Sequence, residues 1–257
     1  YAIYVTGAAS SLTLSGNTFT ANAHNRVRMA PGTFTGANFT LVDEEGLESY
    51  ELTGDFIVPV GITMTVDPGV MVMATSTAVE LNVQGHLEAI GTATQPITFT
   101  SAANTGSNQW AGLVFDGGTG DLDYVTVRYG GRPNSINTTC GSAGMGVNIG
   151  VRNVLVGEVR IRHSQIRSAA FNCNFDAHDY GLYVNNSRVT VENTLFANNG
   201  NSNTTNPNNA DFAVYVSGAS TVLTFDGNVM RNNRFGLHLN GVGAVALNNN
   251  VVMDNVL

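Results

Sequence analysis

Apolar and polar residues alternate in short runs along most of this chain, the pattern of half-buried β-strands. Four stretches align with one another. They are YAIYVTGAASSLTLSGNTFTAN from Tyr1 to Asn22, YGLYVNNSRVTVENTLFANN from Tyr180 to Asn199, FAVYVSGASTVLTFDGNVMRNN from Phe212 to Asn233, and FGLHLNGVGAVALNNNVVMDN from Phe235 to Asn255. Each opens on an aromatic and a small residue. An alternating strand follows, as in Leu182-Tyr183-Val184, then a corner of Gly, Asn or Ser. A second alternating strand comes next, as in Val189-Thr190-Val191 or Leu12-Thr13-Leu14. A short apolar third side (Phe19, Phe196, Met230, Val252) ends in a closing Asn at Asn22, Asn199, Asn233 and Asn255.

A unit of about 20 to 23 residues lies in the range of solenoid repeats. Period-two alternation puts Leu182 and Val184 on one face and Tyr183 on the other. One such unit cannot bury its apolar face alone, but stacked coils bury a continuous core and pair every strand with the coils on either side. Asn tolerates the left-handed conformation that corners demand, and repeated at one corner it can form a side-chain ladder. A leucine-rich horseshoe would need its own consensus, and a propeller longer four-stranded units. The expected fold is therefore all-β, a single-stranded right-handed parallel β-helix with three strands per coil.

Between Phe56 and Phe115 the strands continue with different corners. Asp67-Pro68-Gly69, Gln84-Gly85, Gln95-Pro96 and Asp116-Gly117-Gly118 separate runs such as Met64-Thr65-Val66, Leu81-Asn82-Val83 and Ile97-Thr98-Phe99. The organisation expected is one continuous β-helix over 1–257. A coil at 1–22 resembles the C-terminal coils, and an irregular acidic transition spans 23–55. Regular coils follow over 56–129, and Asn-rich coils over 145–257. Gly, Ser, Asn and Thr mark 130–144, 172–179 and 200–211 as protruding loops.

The run from Thr63 to Gly118 carries a more specific pattern. Asp67-Pro68-Gly69 is followed by Val83-Gln84-Gly85-His86-Leu87, then Pro96-Ile97-Thr98-Phe99-Thr100-Ser101, then Trp110-Ala111-Gly112-Leu113. In that order these pieces resemble the coils of bacterial secreted and cell-surface β-helix repeat proteins, the non-catalytic members of the pectate-lyase-like fold family. The resemblance implies the fold and an exported protein, with Trp110 packed in or beside the core. Activity is a separate question, because this fold serves enzymes, adhesins and structural fibres alike.

Composition narrows the partners. All eleven basic residues are Arg, scattered along the chain, and the net charge is −8. A nucleic-acid binder needs clustered cations against phosphates, so that class is set aside. No stretch reaches the length of a membrane span. Two cysteines, Cys140 and Cys173, both lie in insertions that follow a strand, and a disulfide between them is expected, in keeping with an oxidising compartment.

Candidate chemistry is sparse. Glycosidic hydrolysis needs two carboxyls flanking one cleft, and Asp116, Asp121 and Asp123 are the best local group. Lyase chemistry on this fold would want Ca²⁺ held by several carboxylates, to which Asp176, His178 and Asp179 could contribute. Against these stands the ordinary use of Asp at corners and loop tips. The run Arg160-Ile161-Arg162-His163 resembles the basic motif of polygalacturonases, but the paired aspartates and Gly-His-Gly of that family are absent. Alternation makes Arg160 and Arg162 outward strand residues instead. No phosphate loop, zinc-spaced Cys/His set or nucleophile elbow is present, and no cofactor is expected.

The chain starts and stops in mid-pattern, with Leu257 at the phase of Phe235. Uncapped coils expose strand edges that must be paired or covered. The expectation is an extracellular structural or adhesive module, one repeat of an array or a subunit that self-associates end to end through its terminal coils. A polysaccharide or other cell-surface ligand is the further partner considered. The competing reading is a polysaccharide-active lyase or glycoside hydrolase, or a carbohydrate-binding β-helix.

Overall fold

The computed structural model describes residues 1–6, 12–132, 134–136, 145–170, 178–200 and 211–255. Among them every named strand pairs in parallel, and the strands form three sheets of ten, eight and eight. The chain visits the sheets in turn. An opening sheet runs from Gly32–Thr33 to Phe235–Asn240, and a middle sheet from Phe39–Leu41 to Ala244–Asn248. A closing sheet runs from Ile3–Val5 to Val251–Met253. This is the three-sided parallel β-helix expected from the alternation, and the right-handed sense is the one that twisted parallel strands favour.

The core follows from register. In the closing sheet Val27, Tyr50, Val72, Phe99, Val127, Ile166, Phe196 and Met230 stack in one inward column. Leu41, Val66, Ala89, Leu122, Ile161, Val191 and Phe225 do the same in the middle sheet. Phe56, Leu81, Leu113, Ile149, Leu182 and Val214 line the opening sheet. All of these are buried, and each aliphatic or aromatic side chain so removed from water contributes about 1.5–3 kcal/mol. Where Gly120 leaves a gap in the middle sheet, the Phe115 ring fills it, 2.5 Å from where a Cβ would stand.

Corners recur at the same phase in each coil, and a residue at positive φ marks nearly every one. Gly61, Gly117, Asn186 and Gly218 turn the chain from opening to middle sheet; Gly69, His163, Asn193 and Gly227 turn it from middle to closing sheet. Ser168, Asn198 and Asn232 return it to the opening sheet. Asn dominates because its side chain lowers the cost of the left-handed region.

The segment before residue 56 departs from expectation in two ways. Ile3–Val5 was aligned with the opening strands, but it sits on Arg26–Met29 in the closing sheet, Ile3 over Val27 and Val5 over Met29. A three-residue alternating strand fits any of the three sides, so its neighbours decide the phase. Leu12 to Leu14 forms no strand, and Asn22 is exposed, bonded to Thr20 and Asn25 rather than to a ladder. The stretch 23–55 is not irregular: Arg26–Met29, Gly32–Thr33, Phe39–Leu41 and Ser49–Leu52 are coil strands. Its acidic character hides pairing, since Glu51 is buried and meets Arg26 at 2.7 Å. Likewise His178 and Asp179 belong to the strand His178–Asn185, not to a loop, because they pair with Met145 and Gly146 of the preceding coil.

Candidate functional site

The outward side chains of the middle sheet carry the densest group of ionisable residues, and parallel register dictates which of them meet. One column holds His86 over Thr119; the next holds Glu88, Asp121, Arg160 and Thr190; a third holds Asp123, Arg162 and Glu192. Successive coils lie about 4.8 Å apart, so residues of one column touch. His86 Nδ1 is 2.8 Å from Thr119 Oγ1, and its Nε2 lies 3.9 Å from Asp121. Arg160 bridges Asp121 at 3.4 Å and also pairs with Glu158, which accepts a hydrogen bond from Thr190. The charge of Glu158, then that of Asp121, pushes the Arg160 guanidinium above its ordinary pKa. Asp123 is held by Arg162 at 3.6 Å and His163 at 2.8 Å.

Beside this network lies an open groove of about 480 Å³ lined by His86, Thr119, Asp121, Gly157, Glu158, Arg160 and Arg188. Arg188 makes no ion pair among the described residues. On the adjoining corner Leu155 and Val156 stand exposed, at 57% and 87%.

Of the first carboxylate group singled out from sequence, Asp116 stands apart from the other two. Asp121 and Asp123 share the middle sheet's outer face. Asp116 ends an opening-sheet strand and is paired with Arg152 at 2.6 Å, which raises the arginine's pKa. Asp179 is buried, its backbone N–H donating to Asp211, and His178 stacks near Tyr180. Asp176, Cys140 and Cys173 lie outside the described residues, so the metal and disulfide expectations rest where the sequence left them. No group of three or more His, Cys, Asp or Glu among the described residues is arranged to hold a metal ion.

Two features went unread in the sequence. Tyr183, Tyr215 and His238 form an outward ladder on the opening sheet, with centroids 5.8 and 5.0 Å apart and planes within 7°. The rings cover one another's faces, so the stack presents edges and hydroxyls rather than a flat platform. The middle position of each aligned opening strand was the available signal. The second feature is a strap. Residues 134–136 fold back over the opening sheet, where Ser135 donates from N and Oγ to Glu80 at 2.6 and 2.7 Å. Burial raises the Glu80 pKa, and the Ser135 bonds oppose that rise.

Residues 32–138 match the family model described as the pectate-lyase like beta helix domain. The match covers less than half of the chain, and the three parallel sheets in which it lies continue to residue 255. No curated protein and no solved structure shows significant similarity to the chain. No helix among the described residues is long and apolar enough to cross a membrane.

Proposed function

We propose that this chain is an exported β-helix module that works as a structural or adhesive element and not as an enzyme. One observation carries the reading. On the face richest in ionisable groups, the two central carboxylates are paired with cations: Asp121 with Arg160, Asp123 with Arg162 and His163. A glycosidase acid must hold its proton near neutral pH, which calls for burial or a neighbouring like charge. Asp121 and Asp123 lie partly open to water beside guanidinium groups. Such an arrangement locks register between coils and leaves the outer faces for contact. Export is supported by the family match and by the strand-and-corner composition typical of such coils.

The competing reading is a saccharide subsite in the groove, favoured by Arg188, which lines it together with His86 and Glu158 and makes no ion pair among the described residues. The experiment that separates the two is a screen of the purified protein for turnover and binding on pectin, alginate and glycosaminoglycans. The proposal expects no turnover on any of them. Turnover abolished by Asp121→Asn or Arg188→Ala would overturn it in favour of an enzyme.

A further inference from the structure

Most arginines on the outer faces have an acid beside them. Arg26 and Arg28 share Glu51, Arg152 pairs with Asp116, and Arg160 and Arg162 reach Asp121 and Asp123. The outer face of the closing sheet is different. Its five strands Ile97–Ser101, Val125–Arg128, Gln165–Arg167, Leu195–Ala197 and Val229–Arg231 contain no Asp or Glu, in a chain whose net charge is −8. Parallel register sets Arg128 against Arg167, Arg167 against Ala197 and Ala197 against Arg231 in one outward column. Arg128 and Arg167 therefore stand one coil apart, about 4.8 Å at the backbone.

The fold does not require two cations there. Ala197 and, by the same register, Thr100 hold this column in the coils on either side. Neither Arg128 nor Arg167 forms an ion pair or donates a side-chain hydrogen bond among the described residues, and the Nε of each is closed to water without an acceptor. Burial, then the charge of Arg167, pushes the Arg128 pKa below its ordinary value. The pair is nonetheless held in place. The buried Trp110 and Asn148 side chains pin the two strand ends, Trp110 Nε1 donating to Arg128 O and Asn148 Nδ2 to Arg167 O, each at 2.8 Å. Tyr129, the next residue, has φ 67°, and the Arg128 guanidinium carbon lies 5.2 Å from its ring centre. Later coils put Asn198 and Asn232 at this corner, and Asn bears the left-handed conformation at less cost than a bulky side chain does. A strained corner thus adjoins a partly desolvated pair of like charges that no acid balances, and strain of this kind gathers at ligand sites.

We infer that Arg128 and Arg167 together clamp a dianionic tetrahedral oxyanion, a sulfate or phosphate group, with Tyr129 positioning the Arg128 guanidinium. Each guanidinium offers a planar fork that matches two oxygens of such a group. One double charge balances both cations, where a carboxylate balances only one. A free ion and a phosphate monoester share this chemistry. The site lies on a different sheet from the groove of His86 and Arg188.

The test is isothermal titration calorimetry of the full chain in chloride buffer at fixed ionic strength. The probes are sodium sulfate, sodium phosphate, glycerol phosphate and methyl sulfate. Sulfate and phosphate should bind, and methyl sulfate, tetrahedral but singly charged, should bind about tenfold more weakly or worse. Glycerol phosphate as tight as inorganic phosphate assigns the site to an esterified group, and a clearly weaker ester assigns it to the free ion. Arg128→Gln and Arg167→Gln should each lower sulfate affinity about tenfold or more, the worth of one charge-assisted hydrogen bond. Circular dichroism verifies that both variants keep the fold. Arg231→Gln removes the same charge from the same column two coils away and should change the affinity by less than about twofold, because salt screens a charge at that range. Tyr129→Asn should weaken sulfate binding while the urea midpoint holds or rises, which a purely structural tyrosine would not do. Absence of sulfate binding overturns the inference. So does methyl sulfate binding as tightly as sulfate, or a loss in Arg231→Gln equal to that in Arg167→Gln, since either would mean a diffuse positive field and no clamp. Polysaccharide turnover would overturn the functional reading above and leave this one standing.

Discussion

The coils of 56–129 and those of 180–255 have the same three sides, but they hold their corners together differently. In the first region corner backbone bonds directly to corner backbone. Gln84 and Gly85 both donate to Val58 O, and Thr119 donates to Gly85 O. A Cβ on Gly85 would stand 2.3 Å from Pro59 O and Ile62 O, so the chains approach too closely for any side chain to intervene. Large residues such as Phe99, Trp110 and Phe115 fill the interior there. In the second region such backbone bonds persist, as from Asn193 N to Asp226 O, but buried side chains are added to them, and each buried Asn both accepts from the coil before and donates back to it. Asn233 accepts from Asn199 N and Nδ2 and donates to Phe196 O. The family match ends at residue 138, before the Asn ladders begin. One register can be fixed at the corners by backbone proximity alone or by backbone bonds reinforced with polar side-chain ladders.

The comparison breaks most sharply at Trp110. The side chain is 2% exposed, and its Nε1 donates to Arg128 O at 2.8 Å. Trp110→Ala leaves a cavity and an orphaned carbonyl, and should cost about 3–5 kcal/mol. Urea denaturation followed by circular dichroism measures it. Long stacks need not unfold in one step, so hydrogen exchange should accompany it and show protection lost first in the coils around Trp110.

Asn233→Ala should come next. It strips Asn199 N of its acceptor and leaves Asn199 Nδ2 with Ile166 O alone, in a site closed to water, and each unmet buried group costs about 1–3 kcal/mol. A total of about 3 kcal/mol is expected. Asn233→Ser should recover part of it, since Ser164 and Thr194 already serve as acceptors in the neighbouring ladder. If Asn233→Ala were as harmless as a surface change, the ladders would be decoration, and the two regions would share one mechanism after all.

Much of this was legible in the chain itself, and what was not has physical causes. Alternation with recurrent Gly and Asn defined the coils and most inward columns, because burial imposes period two on every strand. Asn199, Asn233 and Asn255 were readable as corner residues from their shared phase. Asn148 was not: it sits in Val147-Asn148-Ile149, where alternation suggests an outward side chain. There the strand bends around the corner, and Asn148 turns in to accept from Gly130 N at 2.8 Å. It takes the place that Ala169 cannot fill. The acidic run after Asp43 looked like a solvated loop because its arginine partners lie more than twenty residues earlier. The three-residue strand at Ile3 could not declare its side at all. Asp116 parts from Asp121 for a related reason: they are close along the chain, but a corner sends them to different sheets.

Glu80 offers a pH test of the strap at residues 134–136. Its carboxyl is raised in the folded state by burial, so the folded chain binds that proton more tightly than the unfolded chain. The contribution is therefore intact below the ordinary carboxylate pKa of 4.5, and stability falls as pH rises from there through the raised value. Glu80→Gln should flatten this slope, read from urea midpoints across mildly acidic to neutral pH. Ser135→Ala should steepen it, because the Ser135 bonds hold the pKa down. A slope unchanged in both variants would mean the strap is not pinned through this carboxylate.

The smallest effect is expected where the charges are most conspicuous. Asp123 is held by Arg162 and His163, but these partners are 34 and 42% exposed. Water already solvates such groups well, and pairs of this kind contribute about 0–1 kcal/mol. Asp123→Asn should thus shift the urea midpoint by the equivalent of about 0.5 kcal/mol, less again in high salt. A loss comparable to that of Asn233→Ala would show that the outer charge rows, and not the buried asparagines, hold successive coils in register. The matched carboxylates of the middle sheet would then be structural in a stronger sense than their exposure suggests, which would sharpen the case against a catalytic role for them.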